Sequence, residues 1–118
     1  MTTQEIADRL HKLCQQGQFE TAQNELFADS ATSTENNMQG QSETVTGIAA
    51  IKEKGEKFQS MVEEMHSSYT NQPKTYGKNI FMEMGMDVTM KGMGRMNMNE
   101  MCSYEVMNDK IISERFYY

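Results

Sequence analysis

The sequence contains no tryptophan, one proline and two cysteines in 118 residues, and it has no long apolar run. A helix that spans a bilayer needs about 18 consecutive apolar residues, so no transmembrane helix is predicted. Cys14 and Cys102 are 88 positions apart with no CxxC spacing, which favours reduced thiols in a cytoplasmic protein. The N-terminal residues lack the basic and apolar regions of a signal peptide, which agrees with that location.

Positive charge is also scarce. The chain has 11 Lys and Arg against 17 Asp and Glu, and its formal net charge is −6. Domains that bind nucleic acid or an anionic membrane usually present a basic surface, so neither partner is expected. The sequence also lacks a Gly-rich phosphate loop, a GxSxG motif and a His/Cys cluster with zinc spacing. No cofactor and no metal site are therefore predicted.

The length fits a single domain over residues 1–118. In the first half of the chain the apolar residues recur with helical spacing, and helices are predicted over 3–16, 19–27 and 47–65. Thr2 or Thr3 caps the first helix and Gly17 ends it. A short strand near Ala31–Glu35, followed by a loop, precedes the third helix. The residues of the third helix predicted to point inward are Ile48, Ile51, Phe58, Val62 and Met65.

After Met65 the apolar residues recur with a period of two. Strands are predicted over 66–70, 80–90, 95–106 and 111–118, with Pro73 in a loop or at an edge. The even-numbered face of the three long strands is apolar, so the helices are expected to cover that face of an antiparallel meander. Even residues pair with even residues across the last hairpin only if its loop has an odd length, such as Met107-Asn108-Asp109.

Eight of the thirteen methionines lie between Phe81 and Met101. Three interpretations compete: packing in the core, the flexible wall of a ligand pocket, and a soft-metal site, because thioethers bind Cu(I). Strict alternation favours core packing, and one face can be core at one end and pocket at the other. Alternate residues of a strand lie roughly 7 Å apart, which disfavours convergence of several sulfurs on one ion.

Two carboxylates interrupt the apolar face. Glu100 stands between two apolar neighbours of its face, and so does Glu114. Burial of an unpaired carboxylate is costly, so each must lie at an opening, be paired with a base, or be protonated. The functional alternative is a carboxyl group with a raised pKa inside an apolar cavity, where it can transfer a proton. His66 is the candidate partner, although a lone histidine at a strand start more often has a structural role.

Three motifs accompany this order of elements: LFADSAT at 26–32, GIxAI at 47–51 and VMNDKII at 106–112. Together they resemble the SnoaL-like branch of the NTF2-like superfamily, over nearly the whole chain. The resemblance implies an α+β cone, in which N-terminal helices pack on a strongly curved antiparallel sheet that leaves a pocket at one end. It also implies a homodimer that packs sheet against sheet through the odd, outer face. That face carries Arg95, Asn97, Asn99 and Met101.

The superfamily includes ketosteroid isomerases, which test the resemblance. Their catalytic aspartate follows the LFADDAT segment and matches Glu35 here. Their oxyanion tyrosine falls near Leu10 or His11 and their second acid falls at Cys102, so two of the three roles are missing or unsupported. Ketosteroid isomerase is therefore rejected as the specific activity.

The alternation and the resemblance together predict a ligand pocket with apolar walls. Its predicted lining is Phe27, Phe58, His66, Met84, Met86, Val88, Met98, Cys102, Tyr104, Phe116 and Tyr118. The predicted function is binding of a small apolar or amphipathic molecule of unknown identity in this Met-rich pocket. One alternative is an acid/base enzyme of cyclase, isomerase or dehydratase type, in which Glu100, Glu114 or Glu35 transfers the proton and Tyr104 orients the substrate. The other is a non-catalytic dimeric interaction module with a filled cone.

Overall fold

The computed structural model describes residues 1–37 and 39–118, which form three helices and seven strands. The helices are α1 (Thr3–Gln15), α2 (Phe19–Leu26) and α3 (Ile48–Met61). The strands are β1 (Phe27–Asn36), β2 (Ser42–Thr46), β3 (Val62–Thr70), β4 (Lys74–Tyr76), β5 (Asn79–Met90), β6 (Gly94–Met107) and β7 (Lys110–Tyr117). The loop predicted after Glu35 includes Met38, which lies outside the described residues. None of the described helices has the length and apolar character needed to cross a membrane.

The strands form one mixed sheet in the order β2-β1-β7-β6-β5-β3, with β4 paired to β5. All pairs are antiparallel except β1 with β7, which run parallel. The predicted antiparallel meander is confirmed in β5, β6 and β7, but the parallel pair was not predicted. Parallel neighbours require a long crossover, and the periodicity of either strand carries no trace of its partner. The pairing is important for the site because it places Ser33 of β1 opposite Glu114 of β7.

The first helix forms as predicted. The Thr2 hydroxyl oxygen accepts a hydrogen bond from the Glu5 backbone N–H at 3.1 Å, and the Glu5 carboxylate accepts one from the Thr2 backbone N–H at 2.8 Å. This capping box satisfies two N–H groups that have no partner within the helix. Gly17 follows the helix with a φ of +71°, a conformation that glycine adopts without steric cost. The apolar face of α1 is buried against the sheet.

The third helix is shorter than predicted. It ends at Met61, and β3 begins at Val62, which pairs with Met90 of β5. Met65 is therefore a strand residue with 43% exposure and does not point inward from a helix. Pairing with β5 outweighs the helical spacing of these apolar residues.

Two short strands escaped prediction. β2 and β4 consist mainly of polar or exposed residues, so neither shows the apolar alternation that marks a half-buried strand. β2 adds to the free edge of β1 and extends the sheet beside the site.

The even face of the long strands is buried, as predicted. The buried members are Ile80, Met82, Val88, Met90, Cys102, Tyr104, Val106 and Glu114. At one end of the cone this face packs against α1 and α2, with side chains such as Ile80 completely buried. Towards the other end of β6 its side chains, among them Met98, are only half-buried, as is Met84 opposite Glu100, while Val88 and Met90 at the end of β5 are buried. The sheet therefore has a closed, packed end and an open end.

The last hairpin reaches the predicted register by a different route. Its loop has two residues, Asn108 and Asp109, both with positive φ (52° and 63°), because Met107 pairs directly with Lys110. The predicted three-residue loop is wrong. A β-bulge at Ile112 supplies the odd residue instead, since Val106 pairs with Ile111 and Glu105 with Ser113. Beyond the bulge even residues pair with even residues, and Glu114 points into the cone.

Candidate functional site

Three carboxylates and one lysine meet on the inner face near the open end. Glu35, Glu114 and Glu100 come from the adjacent strands β1, β7 and β6, and Lys54 comes from α3, which packs on this part of the sheet. Lys54 pairs with Glu35, the strand register places Glu114 beside Ser33 and Tyr104, and Glu100 contacts the neighbouring Cys102. The charges of these groups also shift one another's pKa values. This polar cluster interrupts an otherwise apolar interior.

Lys54 holds the cluster together. Its Nζ lies 2.9 Å from Glu35 Oε1 and donates a hydrogen bond to Ser33 Oγ at 2.7 Å. The same ammonium group lies 5.2 Å from the centroid of the Phe116 ring, which adds a cation–π contact. Ser33 is almost completely buried, so its hydroxyl needs such a partner.

Glu35 is held as a carboxylate. Its Oε2 accepts a hydrogen bond of 2.7 Å from the Tyr118 hydroxyl, in addition to the ion pair with Lys54. Partial burial alone would raise the pKa of Glu35, but the hydrogen bonds from Lys54 and Tyr118 outweigh it and lower the pKa. Glu35 is therefore the carboxyl group of the cluster that stays charged near neutral pH.

Glu114 is the most deeply buried carboxyl group, with 6% exposure. It lies between Ser33 on β1 and Tyr104 on β6, its partners in the strand register. Burial raises the pKa of Glu114 to about 7, and the nearby Glu100 and Glu35 add to the rise, while Lys54 and a hydrogen bond from Ser33 oppose it.

Glu100 is half-buried and lies nearer the open end. Glu100 pairs with Met84 of the neighbouring strand β5. The Cys102 Sγ lies 3.8 Å from Glu100 Oε1. Burial raises the pKa of Glu100 to about 7, with a further contribution from the charge of Glu35. Glu100 and Glu114 thus both exchange protons near neutral pH, which is unusual for glutamate.

Neutral side chains lie beneath the carboxyl groups. Burial raises the pKa of the Cys14 thiol to about 12, and it also raises the pKa values of Cys102 and Tyr104. The rings of Phe27 and Tyr104 meet edge to face, with centroids 6.4 Å apart. Tyr104 is buried under the cluster and does not reach its opening, which argues against a direct role in orienting a substrate.

A cleft of about 360 Å³ opens the cone to solvent beside this cluster. It is lined by Glu35, Asn36, Asn37, Glu43, Met98 and Tyr118. Glu100 lies behind this lining, next to Met98 on the inner face, and its charge acts on the Tyr118 hydroxyl. The cleft therefore leads from solvent towards a carboxyl group that can gain or lose a proton.

The structure brings most of the predicted site residues to one region. Besides the three glutamates, the cluster and its surroundings include Phe27, Met84, Met98, Cys102, Tyr104, Phe116 and Tyr118. Phe58 and Met86 are half-buried. Val88 is buried further along β5, opposite Met96.

His66 lies apart from the cluster. Its Nε2 is 2.7 Å from Thr89 Oγ1 and its Nδ1 is 2.8 Å from Glu64 Oε2, both on the β3–β5 side of the sheet. The proposed pairing of His66 with Glu100 or Glu114 is not found.

Sequence reasoning missed Lys54 and Ser33. Lys54 stands three residues after the buried Ile51, on the inward side of α3, which is a detectable signal for an inward lysine. Ser33 alternates with the buried Ala31 and with Glu35 along β1. Within residues 1–37 and 39–118, no three His, Cys, Asp or Glu side chains are grouped closely enough to hold a metal ion.

Comparison with known proteins gives a consistent assignment. A model of the SnoaL-like domain matches residues 1–118. A Mesorhizobium loti protein, described as a candidate SnoaL-like polyketide cyclase with the added term carbohydrate phosphatase, has a similar structure with a TM-score of 0.91 and 34% identity, covering 100% of both chains. No curated protein matches the sequence.

More distant structures show the same fold. A Xanthomonas campestris protein of unknown function with a cystatin-like fold has a TM-score of 0.80 at 15% identity, over 99% of this chain and 90% of its own. An NTF2-like protein of unknown function from Burkholderia pseudomallei has a TM-score of 0.78 at 11% identity, over 100% of this chain and 92% of its own.

Proposed function

Because the chain belongs to the SnoaL-like family, we propose that it binds a small apolar or amphipathic molecule at the open end of the cone. One observation carries this proposal: the cleft of about 360 Å³ has Met98 and Tyr118 in an otherwise polar wall and includes Glu35 of the polar cluster. Small-molecule sites typically occupy about 300 to 1,000 Å³ and combine apolar walls with a few polar groups. The fold alone does not decide this, since one fold supports many functions.

The wall of the cleft suits an adaptable apolar contact. Met98 lines the cleft, and Met84 lies across from Glu100 on the same inner face. Methionine is flexible and polarisable, so such a wall can adjust to ligands of different shape. The polar end of an amphipathic ligand would meet Glu35, Tyr118 or Glu100.

A second candidate function, general acid–base catalysis, is favoured by Glu100. Its half-buried carboxyl group lies behind the cleft and has a pKa of about 7, so near neutral pH it is present in both the acid and the base form. The base form could take a proton from a carbon next to a carbonyl group, and the acid form could return it. Glu114, deeper in the cone, would act electrostatically on Glu100 without touching the substrate.

The name of the Mesorhizobium loti protein supports this class of chemistry. It is called a candidate polyketide cyclase, and cyclisation of a polyketide begins with removal of a proton beside a carbonyl group. Any cyclase, isomerase or dehydratase activity of this chain is a proposal. Once a substrate is known, Glu100→Gln should abolish turnover, and unchanged turnover would remove Glu100 from the mechanism.

NMR of protein labelled with [methyl-¹³C]methionine tests the binding proposal. Titration with neutral branched alcohols and ketones should shift the Met84 and Met98 methyl signals in a saturable way. Met1 and Met107 are more than half exposed and lie away from the cleft, so they are internal controls. Equal shifts at all four methyl groups would contradict the proposal, and so would the absence of shifts with neutral, cationic and anionic probes alike.

We also propose that the outer sheet face forms a homodimer. This face is less polar than its sequence suggested, since Tyr69, Phe81, Met101 and Tyr117 are each 40% or more exposed. Large exposed apolar groups on one face are typical of an interface. Native mass spectrometry should give a dimer for the natural protein and a monomer for Met101→Lys. A natural protein that stays monomeric at micromolar concentration would exclude this arrangement.

A further inference from the structure

The carboxyl groups at the open end outnumber the cations that could pair with them. Glu35 forms an ion pair with Lys54. Glu100 and Glu114 form no ion pair with any lysine, arginine or histidine of the described residues, 1–37 and 39–118. The interior therefore has acceptors for positive charge that the described part of the chain does not occupy.

The same region already binds one ammonium group, that of Lys54. The ammonium contacts a carboxylate (Glu35), a hydroxyl (Ser33) and the face of an aromatic ring (Phe116). These are the groups by which proteins recognise alkylammonium ions. A second ammonium group entering through the cleft would find a similar set, with Glu100 as the carboxylate and Tyr118 as the hydroxyl and ring.

We infer that the ligand of the cleft is a small alkylamine in its cationic form, whose ammonium group pairs with Glu100 while its alkyl part contacts Met84 and Met98. This inference rests on the proposed binding function and adds the charge of the ligand. An anionic ligand is disfavoured because it would face Glu35 and Glu100. The neighbouring cation, Lys54, already bonds to two oxygen atoms.

Binding of a cation should release a proton from the carboxyl pair. The pKa values of Glu100 and Glu114 are both about 7. A cation beside Glu100 favours its charged form, so the bound site holds fewer protons than the free site at neutral pH. By linkage, the affinity for the amine rises as the pH rises through 7.

The other groups around the pair change this dependence little. The titratable and charged groups that face the pair or line its opening are Cys14 (α1), Glu35 (β1), Glu43 (β2), Lys54 (α3), Cys102 and Tyr104 (β6) and Tyr118 (β7). The pKa values of the thiols and phenols are raised and that of Glu35 is lowered. Between pH 6 and 8 the thiols and phenols stay neutral and Glu35 stays charged, so Glu100 and Glu114 dominate the change.

Three probes with one alkyl skeleton test the charge of the ligand: 3-methylbutylamine, 3-methylbutan-1-ol and 4-methylpentanoate. Each is titrated into the full chain by calorimetry at pH 6 and pH 8, in two buffers of different ionisation enthalpy. The amine should bind at least about tenfold more tightly than the alcohol at pH 8, because its charge adds an ion pair. Its affinity should rise roughly tenfold from pH 6 to pH 8, since a carboxyl with a pKa near 7 is about one-tenth ionised at the lower pH.

Two variants locate the effect. Glu100→Gln should remove both the preference for the amine and its pH dependence. Glu105→Gln changes an exposed glutamate on the outer face of the same strand, so it should preserve both. Circular dichroism confirms that each variant is folded before titration.

The outcomes separate this inference from the function on which it rests. An alcohol that binds as tightly as the amine, or an amine preference that survives in Glu100→Gln, would overturn the inference and leave the binding proposal standing. If neither the three probes nor the neutral alcohols and ketones shift the Met84 and Met98 methyl signals, both are overturned.

Discussion

The two ends of the cone follow the same sequence pattern and reach opposite outcomes. At the closed end the inner face of β5 and β6 carries Ile80, Met82 and Val106, all almost completely buried. At the open end the same alternation carries Met84 and Met98, which remain half-buried. Alternation therefore decides which face a side chain occupies, while the helix above it decides whether that side chain becomes core or pocket wall.

The largest difference should appear when one methionine is truncated at each end. Met82→Ala removes a fully buried side chain and should lower the free energy of unfolding by about 3 kcal/mol, because it leaves a cavity. Met98→Ala at the cleft should cost less than about 1 kcal/mol, since water can fill the space. Urea denaturation measures both values. Equal losses would mean that the open end is packed like a core.

The pH dependence of stability should come from the open end. The pKa of Glu114 is about 7 in the folded protein, well above its ordinary value of 4.5. A raised carboxyl pKa contributes stability that is complete below the unfolded pKa and is lost as the pH rises through the folded pKa. Stability should therefore fall by about 2 to 3 kcal/mol between pH 4.5 and pH 8.

Glu114→Gln tests the origin of this fall. The variant should remove the part of the fall that Glu114 contributes and leave the part that comes from Glu100, whose pKa is also about 7. Glu105→Gln on the outer face should leave the curve unchanged. Urea midpoints at half-unit pH steps give the comparison. A natural protein whose stability is constant or rises from pH 4.5 to pH 8 would show that Glu114 is not held in its neutral form.

A smaller effect is expected at Lys54. Lys54→Met leaves Glu35 without its cation, and the free energy of unfolding at pH 8 should fall by about 1 to 2 kcal/mol, because a partly buried charge loses its partner. The loss of stability should be smaller at pH 5, because Glu100 and Glu114 are then protonated and Lys54 interacts with fewer negative charges. Lys57→Met, on an exposed position of the same helix, provides the matched control. A loss that is the same at both pH values would indicate packing and not charge.

The smallest effect concerns the rim of the cleft. Tyr118→Phe removes the hydroxyl that donates a hydrogen bond to Glu35, so the pKa of Glu35 should rise. Stability should change by less than about 0.5 kcal/mol because Tyr118 is largely exposed. Carboxyl ¹³C chemical shifts followed against pH report the Glu35 titration. An unchanged titration would show that the Tyr118 hydroxyl does not stabilise the charge.

The spacing of apolar residues along the sequence was sufficient to predict the helices and strands that bury one face against the core. It was not sufficient to predict the contacts between distant segments that form the polar cluster. The alternation in β5, β6 and β7 predicted which side chains point inward, including Glu100 and Glu114. It carried no information on the parallel pairing of β1 with β7, because that contact joins segments about 80 residues apart. Ser33 was missed for this reason, since the pairing is what places it opposite Glu114. Lys54 was missed although its position three residues after the buried Ile51 indicates an inward side chain.

Helix boundaries show a second limit. The apolar residues after Phe58 continue with helical spacing, yet the chain changes to a strand at Val62 to pair with β5. Tertiary pairing of this kind overrides local preference. It also removed Met65 from the interior and left His66 on a different side of the sheet from the glutamates.

The bulge in β7 can be restated in genetic terms. Ile112 is the extra, unpaired residue between the Val106–Ile111 and Glu105–Ser113 pairs. The gene therefore has one codon in this hairpin that regular strand pairing would not require. Deletion of that codon would leave every later side chain on its present face. A single codon inserted after it, with no second bulge, would turn Glu114 outwards and Arg115 into the cone. In this fold, gain or loss of the interior acid is therefore a question of chain length as much as of amino-acid identity.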